Sequence, residues 1–482
     1  MTRRCTRFPL SRSNHHGYRT LIIFGHLRMP DAFIATSVDH KTARSCPKQR
    51  TLMTETGSPQ PAGPTGDSTH ALAWLDRWVW LLLPLAPFIF ASVTWDPWGN
   101  NSLLQAILRS LSLPITIIEM IVIFFALMTG LRLASSFRRM PVWVRIVLAI
   151  LIAIALLTTI FVAQDRAAAT VRTYAWAIHL LFGFSLCDLF ETRWSQLRPF
   201  VWPSVVGGTL LYMLAVIALV LAIPDEQLFN WKGFGLGVTH IRQVAFYSIV
   251  GAGASLGLAA ITNNRFYYWA AIVAATLLLA LSFWSGTRGS LLAVFVAFGT
   301  GWILLRPMRN WAAIGALVAS YTAGGLLSLA HQPPHPFYGL FRISRSTAVT
   351  GADKLATGRL TQWQESARAI WDRPLFGYGE SQYGHAVPGW DQFNHPHNIF
   401  LQLLIQWGML GAACFLALTA YLGWHFVKRA QDGSPQAIPA FLAAAGLATM
   451  SLYEGSLYHP YPVMMLVVAI AFVFSAKDKS LA

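Results

Sequence analysis

The sequence predicts an all-α, polytopic membrane protein of about twelve transmembrane helices, with one large outer loop that contains an amphipathic helix. Three observations carry this. Of 482 residues, 55% are hydrophobic and only 12% charged, where a soluble protein carries about 25% charged residues. Apolar runs of the length that crosses a bilayer as a helix recur along most of the chain. Aromatic residues reach 13%, with 19 Trp, as expected where rings collect at the headgroup level.

Taken in order, residues 1–77 read as a cytoplasmic N-terminal tail. Its first 52 residues hold ten Lys and Arg, from Arg3 to Arg50, against Asp31 and Asp39. That is half of the net charge of +16. The leader lacks the pattern of a signal peptide, and composition changes abruptly at Met53. It reads equally as a disordered basic tail or as a start assigned too early. Nine spans follow within 78–330, at 78–94, 113–131, 142–163, 174–190, 200–223, 243–262, 266–284, 289–305 and 311–330. The run over 266–305 divides at Ser285-Gly-Thr-Arg-Gly289, a tight turn between two helices. Residues 331–397 form the large loop, 398–475 hold three more spans (398–427, 437–453, 461–475), and 476–482 are a second tail.

Charge orients these spans. Arg132, Arg138, Arg139, Arg193, Arg198, Arg265, Arg306, Arg309, Lys428 and Arg429 occupy one set of alternate loops. By the positive-inside rule both termini are cytoplasmic and 331–397 is outside. Positive charge spent on topology is not a nucleic-acid signal, and membrane lipids are the expected surroundings. Arg242 and Arg288 are outer-side exceptions at span edges. A snorkelling anchor explains many such residues, but Gly286 and Gly289 flank Arg288 and allow close backbone approach. Cys187 and Cys414 lie within apolar runs, so no disulfide framework is implied. Glu119 and His179 are the clearest ionisable residues inside spans, and nothing in the sequence joins them as a relay.

Within the loop, Leu360, Trp363, Ala367, Ile370 and Trp371 recur at helical spacing. Pro374 ends that helix and Phe376-Gly-Tyr-Gly379 turns the chain. Its apolar face would lie on the membrane or cap the bundle, or act as a lid over a lipid-linked substrate. The loop closes on Asn394-His-Pro-His-Asn398. No Cys or carboxylate stands at ligand spacing beside the two His, the nearest acids being Glu380 and Asp391, so neither metal nor cofactor is expected.

These segments resemble the O-antigen ligase family. His397-Asn398, then Gly408-Met-Leu-Gly411, is similar to its signature, and Arg288-Gly-Ser-Leu-Leu292 to its Arg-x-x-x-Leu element. Arg359–Trp371 with Pro374-Leu-Phe-Gly-Tyr-Gly379 looks like a segment shared by the wider ligase and polymerase superfamily. The resemblance implies a GT-C glycosyltransferase of the bacterial inner membrane with its site facing the periplasm. It would move a glycan from undecaprenyl diphosphate to an outer-core sugar of lipid A-core, without a cofactor.

The residue chemistry is compatible with that implication. A diphosphate leaving group needs fixed cations, and a guanidinium fork matches phosphate oxygens. Arg242 and Arg288 are the first candidates, with Arg172 or Arg166 beside them. An imidazole serves as general base near neutral pH, which selects His397, with Asn398 capping or orienting it and Gly408 and Gly411 supporting the following span. Direct attack by the acceptor would invert the anomeric centre, and the scarcity of outer carboxylates disfavours a covalent intermediate. The alternatives are an O-antigen polymerase or a protein O-oligosaccharyltransferase of the same superfamily. A transporter fits less well, because neither repeats nor paired broken helices are visible.

Overall fold

The computed structural model describes residues 66–98, 102–110, 112–131, 137–231, 233–334, 338–340, 358–390, 393–432 and 434–475. The leader 1–52, Arg132, Lys232, Asp391 and the tail 476–482 lie outside the described residues, as does the side chain of Arg109. All described elements are helical. In chain order they are α1 (Gly66–Val93), α2 (Leu103–Ser110), α3 (Leu113–Met128), α4 (Val142–Leu157), α5 (Arg166–Glu191), α6 (Val201–Ala222), α7 (Val244–Ile261) and α8 (Arg265–Trp284). Then follow α9 (Arg288–Leu304), α10 (Trp311–Leu327), α11 (Arg359–Asp372), α12 (Tyr383–Ala386), α13 (Ile399–Gln431), α14 (Ala437–Met450) and α15 (Pro460–Phe474).

Each of the twelve apolar runs contains one of these helices. Eight are long and apolar enough to cross a membrane, while α3, α9, α14 and α15 are shorter apolar helices. Helix α2 and the π-helical end of α4 at Thr158–Val162 are additions that hydropathy does not signal. Starts follow capping chemistry: Asp165 accepts from the Ala168 N–H, Asn264 from Phe266 and Asn310 from Ala313. These side chains satisfy donors that a helix start leaves open.

Helix α7 is the axis of the bundle, with 83% of its apolar window buried, and it packs against α6, α8, α9 and α14. Its run of Gly, Ala and Ser admits neighbouring backbones closely, the means by which helices associate where lipid offers no hydrophobic gain. Helix α5 packs on α3 and α15, and α4 on α13. Between α3 and α5, Glu119 Oε1 and His179 Nδ1 stand 2.8 Å apart, both buried. Two residues that the sequence left unconnected are therefore a bonded pair, because both face the same helix contact.

The decisive irregularity is in α13. At Gly408 the backbone leaves the helical region, with φ 63° and ψ −169°, a conformation that glycine alone adopts without strain. The break frees carbonyls and N–H groups in mid-helix, and the loop segment after α11 takes them up. Tyr378 N–H donates to Ile405 O (2.7 Å), Gly379 N–H to Gln406 O (2.9 Å), and Met409 N–H to Pro374 O (2.7 Å). A Cβ at Gly408 would stand 2.2 Å from Leu375 O. Two motifs far apart in sequence thus form one backbone-paired joint.

Helix α11 ends before Pro374, as its sequence indicates, but its buried side is not the apolar one. Gln362, Ser366 and Ala369 are buried, whereas Leu360, Ala367 and Trp371 are exposed. The reason lies in what it caps: the turn beneath presents carbonyl oxygens. Gln362 Nε2 donates to His395 O (3.2 Å) and Trp363 Nε1 to Pro396 O (2.8 Å). A polar surface needs a polar partner.

Candidate active site

His397 sits at the turn that enters α13, in the left-handed region at φ 54°. Its placement is over-determined. The N–H of His397 donates to His395 Nδ1 (3.2 Å). Asn398 caps α13, accepting from Phe400 (3.0 Å) and Leu401 (3.2 Å), and its amide donates to Leu452 O (2.9 Å). Ile399 N–H donates to Ser451 O (2.9 Å). Strain of this kind persists only where the surroundings enforce it.

The α14–α15 turn supplies what the sequence did not disclose. Glu454 Oε2 lies 3.0 Å from His397 Nδ1, and its other oxygen accepts from Arg359, at the start of α11. Burial alone would raise the Glu454 carboxyl, but the His397 hydrogen bond and the Arg359 charge hold it well below the usual carboxylate range. An ionised carboxylate at Nδ1 fixes the tautomer, so Nε2 is the nitrogen left to accept a proton. The acids nearest in sequence do not play this part: Glu380 is buried against Gln406 (3.0 Å). The available signal was Tyr453-Glu454-Gly455 at the end of an apolar run, where acids are few.

His395 is a packed wall of the same turn. It lies against Tyr458 and His397, with ring centroids 5.0 and 4.3 Å away. Gly455 makes room for it, since a Cβ there would meet the ring at 2.1 Å. Burial lowers the His395 imidazole well below its ordinary range, and lowers His459 to about 3. Both are neutral at physiological pH.

Arginines close in from other elements. Arg172, on α5, donates to Tyr458 O and covers the Tyr458 ring at 4.2 Å. Its charge acts on His395, His459 and Glu380. Arg242, in the turn before α7, lies in the field of Glu454, Arg359 and Arg288, and its backbone carbonyl accepts from Thr287 Oγ1 (3.1 Å). The Nε atoms of Arg172 and Arg242 are buried without a hydrogen-bond partner among the described residues. Arg288 opens α9. Gly289 beside it lets Tyr453 pack closely, a Cβ there meeting the ring at 2.7 Å, and Tyr453 Oη donates to Gly289 O (2.7 Å). That contact ties the Arg288 turn to Glu454. Arg166 is exposed at the first turn of α5, without a side-chain contact to this cluster among the described residues.

The supporting glycines act at a distance. Gly408 makes the joint that seats the loop, and Gly411 packs beneath it, with Trp407 and Ile154 nearest to where a Cβ would stand. Gln382 straps the loop to the turn before α5, accepting from Gln164 and Asp165 N–H and donating to Asp165 O, each at 2.9 Å. Among the described residues, no three His, Cys, Asp or Glu side chains gather where they could hold a metal ion.

A broken helix, a docked loop and a His beside clustered arginines meet at one end of the bundle. Residues 272–416 match the family model described as O-antigen ligase. That segment, 145 of the 482 residues, is similar to the O-antigen ligase family. No curated protein matches the chain. The matched segment contains Arg288, the α11 joint, His397, Asn398, Gly408 and Gly411. Arg172, Arg242 and Glu454 lie outside its limits and reach the site only through the fold.

Proposed function

We propose that this protein is an O-antigen ligase, a metal-independent, inverting glycosyltransferase of the inner membrane with its site on the periplasmic side. Donor would be a glycan on undecaprenyl diphosphate, and acceptor an outer-core sugar of lipid A-core. The observation that carries the reading is the His397–Glu454 pair set among arginines, two of which hold buried, unpartnered N–H groups. A base and an anion-binding surface adjoin.

On this reading His397 Nε2 accepts the proton of the acceptor hydroxyl as its oxygen attacks the anomeric carbon. The bond from that carbon to the diphosphate oxygen breaks, and its electron pair leaves with the diphosphate. Arg288, Arg242 and Arg172 offset the charge that develops there. Glu454 stabilises the imidazolium without taking the proton. Both its oxygens are engaged, by His397 and Arg359, which disfavours Glu454 as a nucleophile and supports direct displacement. Arg166, exposed at the first turn of α5, is given no part at the reacting centre.

The test is transfer in proteoliposomes supplied with lipid-linked glycan and lipid A-core. His397→Ala should lower kcat by roughly 10²–10⁴-fold, the usual contribution of a general base. Glu454→Ala should lose on the order of 10²-fold with insertion unchanged. Near-normal turnover by His397→Ala would remove the base assignment.

A further inference from the structure

Helix α11 presents three faces, their mean directions about 95–165° apart at the helical advance of roughly 100° per residue. One holds Gln362, Ser366 and Ala369 and grips the turn before α13. A second holds Thr361, Glu365, Arg368 and Asp372, where Arg368 pairs with Glu365 (2.7 Å) and is 76% exposed. The third holds Leu360, Ala367 and Trp371 with a single polar residue, Gln364, among them, all exposed, Trp371 by 78%. The apolar surface continues past the helix into Leu375 and Phe376, 53% and 46% exposed.

A helix divided in this way fits a boundary where protein, water and a third, apolar phase meet. What that phase is follows from the joint with α13. Pro374 and Leu375 carbonyls accept from Met409 and Leu410, which lie about 15 Å along a membrane-length helix from its start at Ile399. Met409 and Leu410 are themselves 47% and 45% exposed, on the outward side of that helix. The exposed stripe of α11 is therefore continuous with a surface that faces lipid.

We propose that Trp371, Leu375 and Phe376 are seated in the bilayer at the membrane interface, making α11 a strut between lipid and the His397 turn. A Trp at the headgroup boundary and an apolar stripe beside a charged one are the features of an interfacial helix. The strut's other face carries Arg359, whose bond to Glu454 completes the pair with His397. Lipid seating thus holds the base in place. The seating stands on geometry alone; only its effect on turnover rests on the ligase reading.

The experiment uses full-length protein in phosphatidylethanolamine–phosphatidylglycerol vesicles, with Cys5, Cys46, Cys187 and Cys414 changed to Ser. Trp371→Cys, Phe376→Cys and, for comparison, Asp372→Cys each carry an environment-sensitive fluorophore. Lipids bearing a nitroxide high on the acyl chain should quench the labels at 371 and 376 at least about threefold more than that at 372, and aqueous iodide should do the reverse. Equal iodide quenching at all three positions would overturn the proposal. Protection of 371 and 376 from both quenchers would overturn it too, since protein rather than lipid would then cover the stripe. As a separate readout, Trp371→Glu should lower kcat by about tenfold with donor KM little changed. If quenching behaves as expected and this variant turns over normally, the seat stands and its link to the base fails.

Discussion

At the scale of single residues the site is a set of side chains whose chemistry depends on partners remote in sequence. His397 was legible because it stands beside Asn398 at a span edge with a glycine pair beyond. Glu454, 57 residues later, was not legible, because a lone acid in a short turn gives no spacing signal. The arginines differ in the same way. Arg288 could be singled out from its flanking glycines: Gly289 admits Tyr453, and Gly286 the backbone of Tyr338 and Gly339. Arg166 and Arg172 looked equivalent, yet only Arg172 faces inward, being six residues further along α5 and therefore on another side of it. If Arg288 binds diphosphate through its fork, Arg288→Lys should lose about 10²-fold in kcat/KM, since a point charge replaces two parallel bonds. Steady-state kinetics with varied donor decide it, and full activity in the Lys variant would mean that charge alone suffices.

At the scale of elements, periodicity located the helices and missed how one is interrupted. Gly408 reads from sequence as a motif glycine that supports a span and not as a break in it, because hydropathy does not register a φ of 63°. The loop helix shows the converse. Its limits were legible from Pro374, but which face it buries was set by carbonyl oxygens of the turn beneath it. The joint also draws Glu380 into the protein, where it is fully buried beside Gln406. Burial, opposed only in part by Arg172, raises this carboxyl to about 7 from a reference of 4.5. The folded state then holds a proton that the unfolded chain has released. Stability from this group is complete below pH about 4.5 and is lost as pH rises through about 7, on the order of 1–3 kcal/mol in all. Glu380→Gln should flatten that dependence. Thermal unfolding in detergent across the interval measures it, and identical pH slopes for variant and parent would show that Glu380 does not titrate there.

At the scale of the whole molecule, each of the twelve apolar runs coincides with a helix, eight of them long enough to cross a membrane, and what composition could not supply was their arrangement. The site draws on α5, the turns before α7 and α9, α11, the entry to α13 and the α14–α15 turn, so no single segment contains it. The basic composition of residues 1–52 breaks off at Met53. A chain beginning at Met53 should therefore insert and turn over as the full chain does. Comparison of the two in membranes by yield and transfer rate tests this, and loss of either would assign the leader a role.

On the ligase reading, the hydroxyl that attacks belongs to lipid A-core. Ligase and polymerase would share His397, Glu454 and the arginines, so variants of the site do not separate them, whereas the acceptor does. Purified protein in vesicles is given lipid-linked repeat units of defined length, with and without lipid A-core, and products are resolved by size. Donor alone should give no lengthening. Adding lipid A-core should give a single capped product at the donor's own length, which His397→Ala abolishes. A ladder of lengthened glycans from donor alone would contradict the account and identify a polymerase.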